Sequence, residues 1–426
     1  MQNMENINLF ELYKEGIVKE GGHNVNVPIK KASGEKYDGR TYAIPLKYLY
    51  YNEQNGRIGV SLSEYESASG KLIPGRNEEY NMVIQNMLAD DADEMTKKEM
   101  DKLKRNIALK GQDEPGYVLS DGRVIDGNRR FTAKRLLEQD PLITEQQYFE
   151  AVILDDLSVH NHDDQKKIKS LELQIQFGKL GKVDYNPIDR AIDAYKTIVK
   201  NNIMSVAEYT EFAGLTPIEV NKRILEAELI IKFLEFANTN PDNYALAKQL
   251  DLDGPLQDMI PQYKKFKDSD KLDQLLNSLF AKIIQIRSSK EDFKAEFRQI
   301  VKNVIGTKNE EKFIEEMEDA TDTIVEALDN KDAIKNNVDL FTTLHNNQEA
   351  VQALAKVQTI STNHSEKAKN HKEQNMPVKL AEKAISSIDA IDKRIVAGLP
   401  KSEKAKLKSS FEKLKSKIDD LLSEEG

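Results

Sequence analysis

The sequence predicts an α+β N-terminal domain followed by a mostly α-helical remainder that includes a helix-turn-helix. Three observations carry this prediction. Strand-like runs concentrate between Arg40 and Ile153. Beyond Asp156 they give way to apolar residues at helical spacing. Three helix-start signatures follow one another between Asn186 and Glu219.

Residues 1–40 read as a lead segment and 41–156 as the α+β domain. In that domain "TYAIPLKYLYY" is rich in aromatic and branched side chains, "YVLSDGRVID" carries two apolar runs around Asp121 and Gly122, and "YFEAVILDD" is a third. The Asp-Gly pair suits a tight hairpin, because glycine tolerates the positive φ such turns require. "MTKKEMDKLKRNIALKG" reads as a helix with acids leading, lysines following and Gly111 as its stop.

Residues 157–236 form the next expected domain. Asn186-Pro187 with Asp189 is an N-cap, a first-turn proline and an early acid. Ser205 with Glu208, and Thr216 with Glu219, are two capping boxes, the second just after the turn glycine Gly214. A helix from Val206 to Ala213, a turn at Gly214-Leu215 and a helix from Pro217 with Val220, Ile224 and Leu225 inward outline the helix-turn-helix. Residues 237–360 read as a further helical domain, 361–377 as a polar linker and 378–426 as C-terminal helices. In the last, Leu407, Phe411, Leu414, Ile418 and Leu421 alternate spacings of four and three, as a short coiled-coil seam does. That stripe fits a partner protein as well as its own domain.

Composition excludes several function classes. The 426 residues carry a formal charge of −10, which argues against coating DNA or an anionic membrane by global attraction, so any nucleic-acid site must be local. With no cysteine there is no disulfide framework, thiolate metal site or cysteine nucleophile, and the count fits a reducing compartment. The N-terminus lacks the pattern of a secretory signal and no apolar run is long enough to span a bilayer, which predicts a cytoplasmic protein without membrane contact.

The run "RVIDGNRRFTAKRLLEQ" holds the main chemical signal. Gly127, Asn128, Arg129 and Arg130 stand where a strand turns into a helix, and a helix N-terminus with arginines attracts phosphate. The competing reading pairs Arg129 and Arg130 with local carboxylates such as Asp126.

More of the chain bears on that choice. The run resembles the Gly-x-Arg-Arg motif of the ParB/sulfiredoxin-like family, which enters a helix after a β-hairpin. "IPLKYLYYNEQNGRI" resembles the family's opening segment, "MDKLKRNIALKG" the helix before the hairpin, and "LELQIQFGKLGKVDYNPIDRAIDAYKTIV" its Glu-Asn-x-x-Arg region and following helix. Ser205 to Ile231 resembles the ParB helix-turn-helix, and the segments keep the family's order from Tyr42 to Glu235. The resemblance implies a homodimeric, nucleotide-binding protein taking CTP or ATP with Mg²⁺. Gly127, Asn128, Arg129 and Arg130 would lie against the phosphates and Glu172 near the metal. It also implies DNA contacts from Thr216, Asn221, Lys222 and Arg223. The sulfiredoxin activity is excluded, since it needs a cysteine.

Across Val183 to Glu235 six basic side chains face nine acidic ones, a net of −3, so this helix-turn-helix either binds DNA weakly or is a structural three-helix bundle. His160 and His162 beside Asp163 and Asp164 read as a solvated turn rather than a metal site. Three functions remain: a prokaryotic nucleotide-controlled switch in partition, regulation or a mobile element; a phosphotransferase or nuclease with Asp126 or Glu172 as base or metal ligand; and a nucleotide-free interaction protein of a mobile element or defence locus, working through its helical half.

Overall fold

The computed structural model describes residues 7–31, 33–53, 58–89, 94–178, 186–289, 293–330, 332–372 and 376–423. Residues 54–57 of the segment "IPLKYLYYNEQNGRI" and 179–185 of "LELQIQFGKLGKVDYNPIDRAIDAYKTIV" lie outside the described residues.

A six-stranded mixed sheet occupies the N-terminal part. Its strands are β1 (Lys19–Asn24), β2 (Arg40–Pro45), β3 (Tyr50–Tyr51), β4 (Gly116–Leu119), β5 (Arg123–Asp126) and β6 (Tyr148–Leu154), in the order β1-β2-β6-β4-β5-β3. Pairings are antiparallel except β4 with β6 and β3 with β5. Gly122, at φ +92°, closes the β4–β5 hairpin.

Helix α1 (Leu9–Lys14) precedes the sheet, α2 (Gly59–Ser69), α3 (Glu78–Ala89) and α4 (Glu94–Lys110) lie between β3 and β4, and α5 (Asn128–Glu138) lies between β5 and β6. Phe149, Ala151 and Ile153 of β6 face the cluster of Leu9, Ile84 and Phe131. Val152 and Leu154 face the other way, onto Leu171 and Ile175 of α6 (His162–Gly178). Burial of both faces explains the nearly continuous apolar run of β6, where a half-exposed strand would alternate.

The remainder is helical. Helix α7 (Pro187–Tyr195) leads through a π turn (Lys196–Lys200) to α8 (Val206–Ala213) and α9 (Pro217–Phe236). Asn186 caps α7, and both expected capping boxes are formed at Ser205–Glu208 and Thr216–Glu219. Gly214 takes the left-handed conformation between α8 and α9, whose Tyr209, Ala213, Val220 and Ile224 share a core with Leu173. Helices α10 (Ala245–Gln249), α11 (Asp253–Phe266), α12 (Leu272–Ser288), α13 (Phe293–Asn303), α14 (Glu310–Asp329), α15 (Asn337–His345) and α16 (Gln348–Lys372) follow.

Three expectations change. The sheet begins inside the supposed lead segment, because β1 is an exposed edge strand of polar and glycine residues that leaves no apolar alternation to read. Residues 41–156, 157–236 and 237–360 form one compact unit ending at Ser361, in which Phe233 and Phe236 of α9 pack on Phe280 of α12 with ring centroids 5.4 and 5.7 Å apart. The expected linker is helical through Lys372, and Ser361, His364, Ser365 and Ala368 are buried. Its polar residues therefore mark a helix face and core positions.

The second compact unit begins at Thr362 and contains α17 (Met376–Asp389), α18 (Lys393–Gly398) and α19 (Lys401–Ser423). No residue of α18 or α19 is buried, so the Leu407–Leu421 stripe stands uncovered on α19.

Glu226 of α9 is buried against Gln257 of α11, whose amide donates to it across 3.3 Å. Burial pushes its carboxyl up to about 7 from an ordinary 4.5, and Gln257 only partly offsets this. The folded state thus holds this proton more tightly than the unfolded chain does. Stability from it is complete below pH 4.5 and is lost as pH rises through 7, by about 3 kcal/mol. Glu226→Gln should raise the melting temperature at pH 8 and leave it unchanged at pH 4.5, as thermal unfolding at the two pH values would show.

Candidate functional site

Gly127 is the N-cap of α5 and sits at φ +93°, a left-handed conformation that glycine adopts without strain. A Cβ there would lie 2.9 Å from Phe149 Cζ and 3.1 Å from Arg130 Nη2. As a glycine, the N-cap residue offers no side chain to cap the first amides of α5. Both arginines meet carboxylates. Arg129 donates to Glu99 across 3.2 Å. Arg130 reaches Glu114 and Asp126 at 3.2 Å each, and the Pro115 carbonyl at 3.3 Å.

The local-pairing reading therefore describes the resting contacts, yet two polar atoms at this turn stay unsatisfied. Asn128 Oδ1 and Arg130 Nε are buried and have no hydrogen-bond partner among the described residues. One is an acceptor and the other a donor. Buried polar atoms normally find partners, so this pair is an exception that calls for an explanation.

Glu172 lies elsewhere. It projects from α6, on the sheet face opposite Phe131 of α5, into a cavity of 430 Å³. The walls come from α2, α6, α7 and the π turn, and none of Gly127 to Arg130 lines it. Lys169, one helical turn earlier, donates to Glu172 Oε2 across 3.3 Å and to Asp193 Oδ1 of α7 across 2.5 Å. Asn52, after β3, donates to Glu172 Oε1 at 3.4 Å, and the Tyr209 hydroxyl of α8 donates to Asp193 Oδ2 at 3.0 Å. A buried polar chain thus runs from the sheet through α6 and α7 to α8.

Burial raises the Glu172 carboxyl above its ordinary range; Lys169 opposes this, while Asp193 and Asp126 add to it. Burial alone would lower Lys169, but Asp193 and Glu172 outweigh it and hold the ammonium charged. Glu172 does not fit the role of metal ligand as arranged. Lys169 already serves as its cation, and among the described residues no group of three or more His, Asp or Glu side chains is placed to hold a metal ion. The same holds at His160 and His162: His162 opens α6 with Nε2 3.1 Å from the Asn202 carbonyl.

The residues expected on DNA are mostly engaged locally. Thr216 is spent on its capping box, Asn221 donates to the Pro217 carbonyl at 2.8 Å, and Lys222 donates to Gln257 of α11 at 2.8 Å. Thr216, Asn221 and Lys222 are exposed and Arg223 is half-buried. Packing of α11 along α9 leaves chiefly the first turns of α9 open, where Ile218 is 79% exposed.

Sequence reasoning missed Lys169, Asp193 and Tyr209. The available signal was Lys169 and Glu172 at an i,i+3 spacing within a helix that is apolar at Leu171, Leu173 and Ile175. No family model matches the chain, and no curated protein matches it. Among the described residues no helix is long and apolar enough to cross a membrane.

Gly127→Ala combines a strained φ with the Phe149 contact and should cost about 1 to 3 kcal/mol. Urea unfolding would show this as a lower midpoint with an unchanged slope.

Proposed function

We propose that the chain is a ParB-like nucleotide-binding switch, with CTP or ATP held at the turn from Gly127 to Arg130. The observation that carries this reading is the pair of buried, unsatisfied atoms at a helix N-terminus whose N-cap residue is a glycine. Arg130 Nε is a donor suited to a phosphate oxygen, the amides of α5 add the positive end of a helix dipole, and Asn128 Oδ1 would accept from a base or ribose donor. The order of elements supports it: opening strand, helix, hairpin, Gly-x-Arg-Arg turn, Glu172 helix and helix-turn-helix follow one another as the family resemblance requires. The proposal gives Glu172 no metal, because Lys169 occupies its carboxylate.

The buried polar chain from Asn52 to Tyr209 connects the nucleotide-bearing sheet to α8. Through it, a nucleotide would set the arrangement of the helix-turn-helix, of subunits in a homodimer, or of bound DNA in a prokaryotic partition, regulatory or mobile-element system. DNA contact would fall on the exposed first turns of α9 and would be weak, given the net acidity of this segment.

Titration calorimetry tests the proposal. Wild-type protein should bind CTP or ATP, and Arg129→Ala or Arg130→Ala should abolish the heat while leaving the circular dichroism intact. Absence of heat with either nucleotide for the wild type ends it. Glu172, whose carboxyl is pushed up by burial where it lines a cavity, favours one second reading, an enzyme using it as general acid or base. Fast turnover of labelled ATP to a distinct product would support that enzyme over a slow switch.

A further inference from the structure

The 430 Å³ cavity has a feature that the Gly127 turn does not explain. Of its lining lysines, Lys169 pairs with Glu172 and Asp193, and Lys200 pairs with Asp242 at 2.5 Å. Lys71 and Lys196 line the same space and form no ion pair with a carboxylate among the described residues. The lining acids are largely committed. Glu53 pairs with Arg123, Asp189 with Lys248 at 3.4 Å, and Asp193 and Asp242 with the lysines above. Glu66 accepts from the Leu72 amide at 3.3 Å.

Lys196 is the more unusual of the two. Its ammonium has Ser63 Oγ at 3.5 Å and the face of Tyr244 5.0 Å from the ring centroid as its nearest partners. It starts the π turn, whose widened backbone is closed by the Asn201 amide on the Lys196 carbonyl at 2.9 Å. Single π turns in helices are frequently found at functional sites. Burial lowers the Lys196 pKa and Lys200 adds to this, while Asp242, Asp193 and Glu66 pull it back up without restoring it. The volume is that of a small-molecule site.

We infer that this cavity binds a small phosphate-bearing anion, with Lys196 and Lys71 as its counter-charges. Two unpaired ammonium groups match a doubly charged group better than a monocarboxylate. The site is separate from the Gly127 turn and does not depend on a nucleotide binding there. Bound between α2 and the π turn, the anion would tie the sheet-side helix to the segment that leads into α8.

Inorganic pyrophosphate is the probe, with two readouts on the full chain. In calorimetry the wild type should bind it, Lys196→Met should weaken binding by about tenfold or more, and Lys196→Arg should retain most of it. In acylation footprinting read by mass spectrometry, modification of Lys196 should fall several-fold when pyrophosphate is added, while exposed Lys110 is unchanged. Unaltered labelling of Lys196, absence of heat for the wild type, or wild-type affinity in Lys196→Met overturns the inference. Footprinting uses unmutated protein, so it decides the matter even where Lys196→Met fails to fold. Loss of CTP and ATP binding would leave this result untouched, since pyrophosphate is read at Lys196 itself.

Discussion

One ammonium group organises the centre of this molecule. Lys169 is enclosed between Glu172 on its own helix and Asp193 on the next, and each of those carboxylates is tied onward, to Asn52 after β3 and to Tyr209 of α8. A buried ion pair contributes little net stability over an apolar filling, but removing one partner strands the others without compensation, at a cost of about 3 to 5 kcal/mol. Its value lies in geometry: with Lys169 in place, α6, α7 and α8 have one mutual arrangement, and the cavity beside them has one shape. The neighbouring ion pair between Lys166 and Glu208 fixes the same helices one turn away.

The sheet distributes the candidate sites. Residues of one parity along β4, β5 and β6 receive α5, and those of the other parity receive α6, so the Gly127 turn and Glu172 leave opposite faces. Asp126 at the end of β5 belongs to both environments. It accepts from Arg130 at 3.2 Å and contributes to raising the Glu172 carboxyl.

How far the sequence disclosed this depends on the range of each signal. Capping boxes, the Asp121-Gly122 hairpin and the left-handed glycines are local, requiring residues at fixed short spacings, and the structure forms them where the spacing places them. β1 escaped notice because "KEGGHN" is held by its neighbour's backbone and by the Glu150, Thr41 and His23 contacts, all long-range. The polar stretch after Ser361 imitated a linker because buried Ser361, His364 and Ser365 make a polar core face. The candidate site was half visible: Gly127, Arg130 and Glu172 stand out as types, whereas the partners that decide their chemistry, Glu114, Lys169, Asp193 and Lys196, join them only through folding.

Replacing Lys169 by Met tests the central claim most directly. Denaturant unfolding combined with native-state hydrogen exchange should show a loss of about 3 to 5 kcal/mol. Protection should fall first in α7 and α8 and remain in β4 to β6. Unchanged stability, or a loss of protection spread evenly over the sheet and helices, would contradict the role assigned to this buried ammonium.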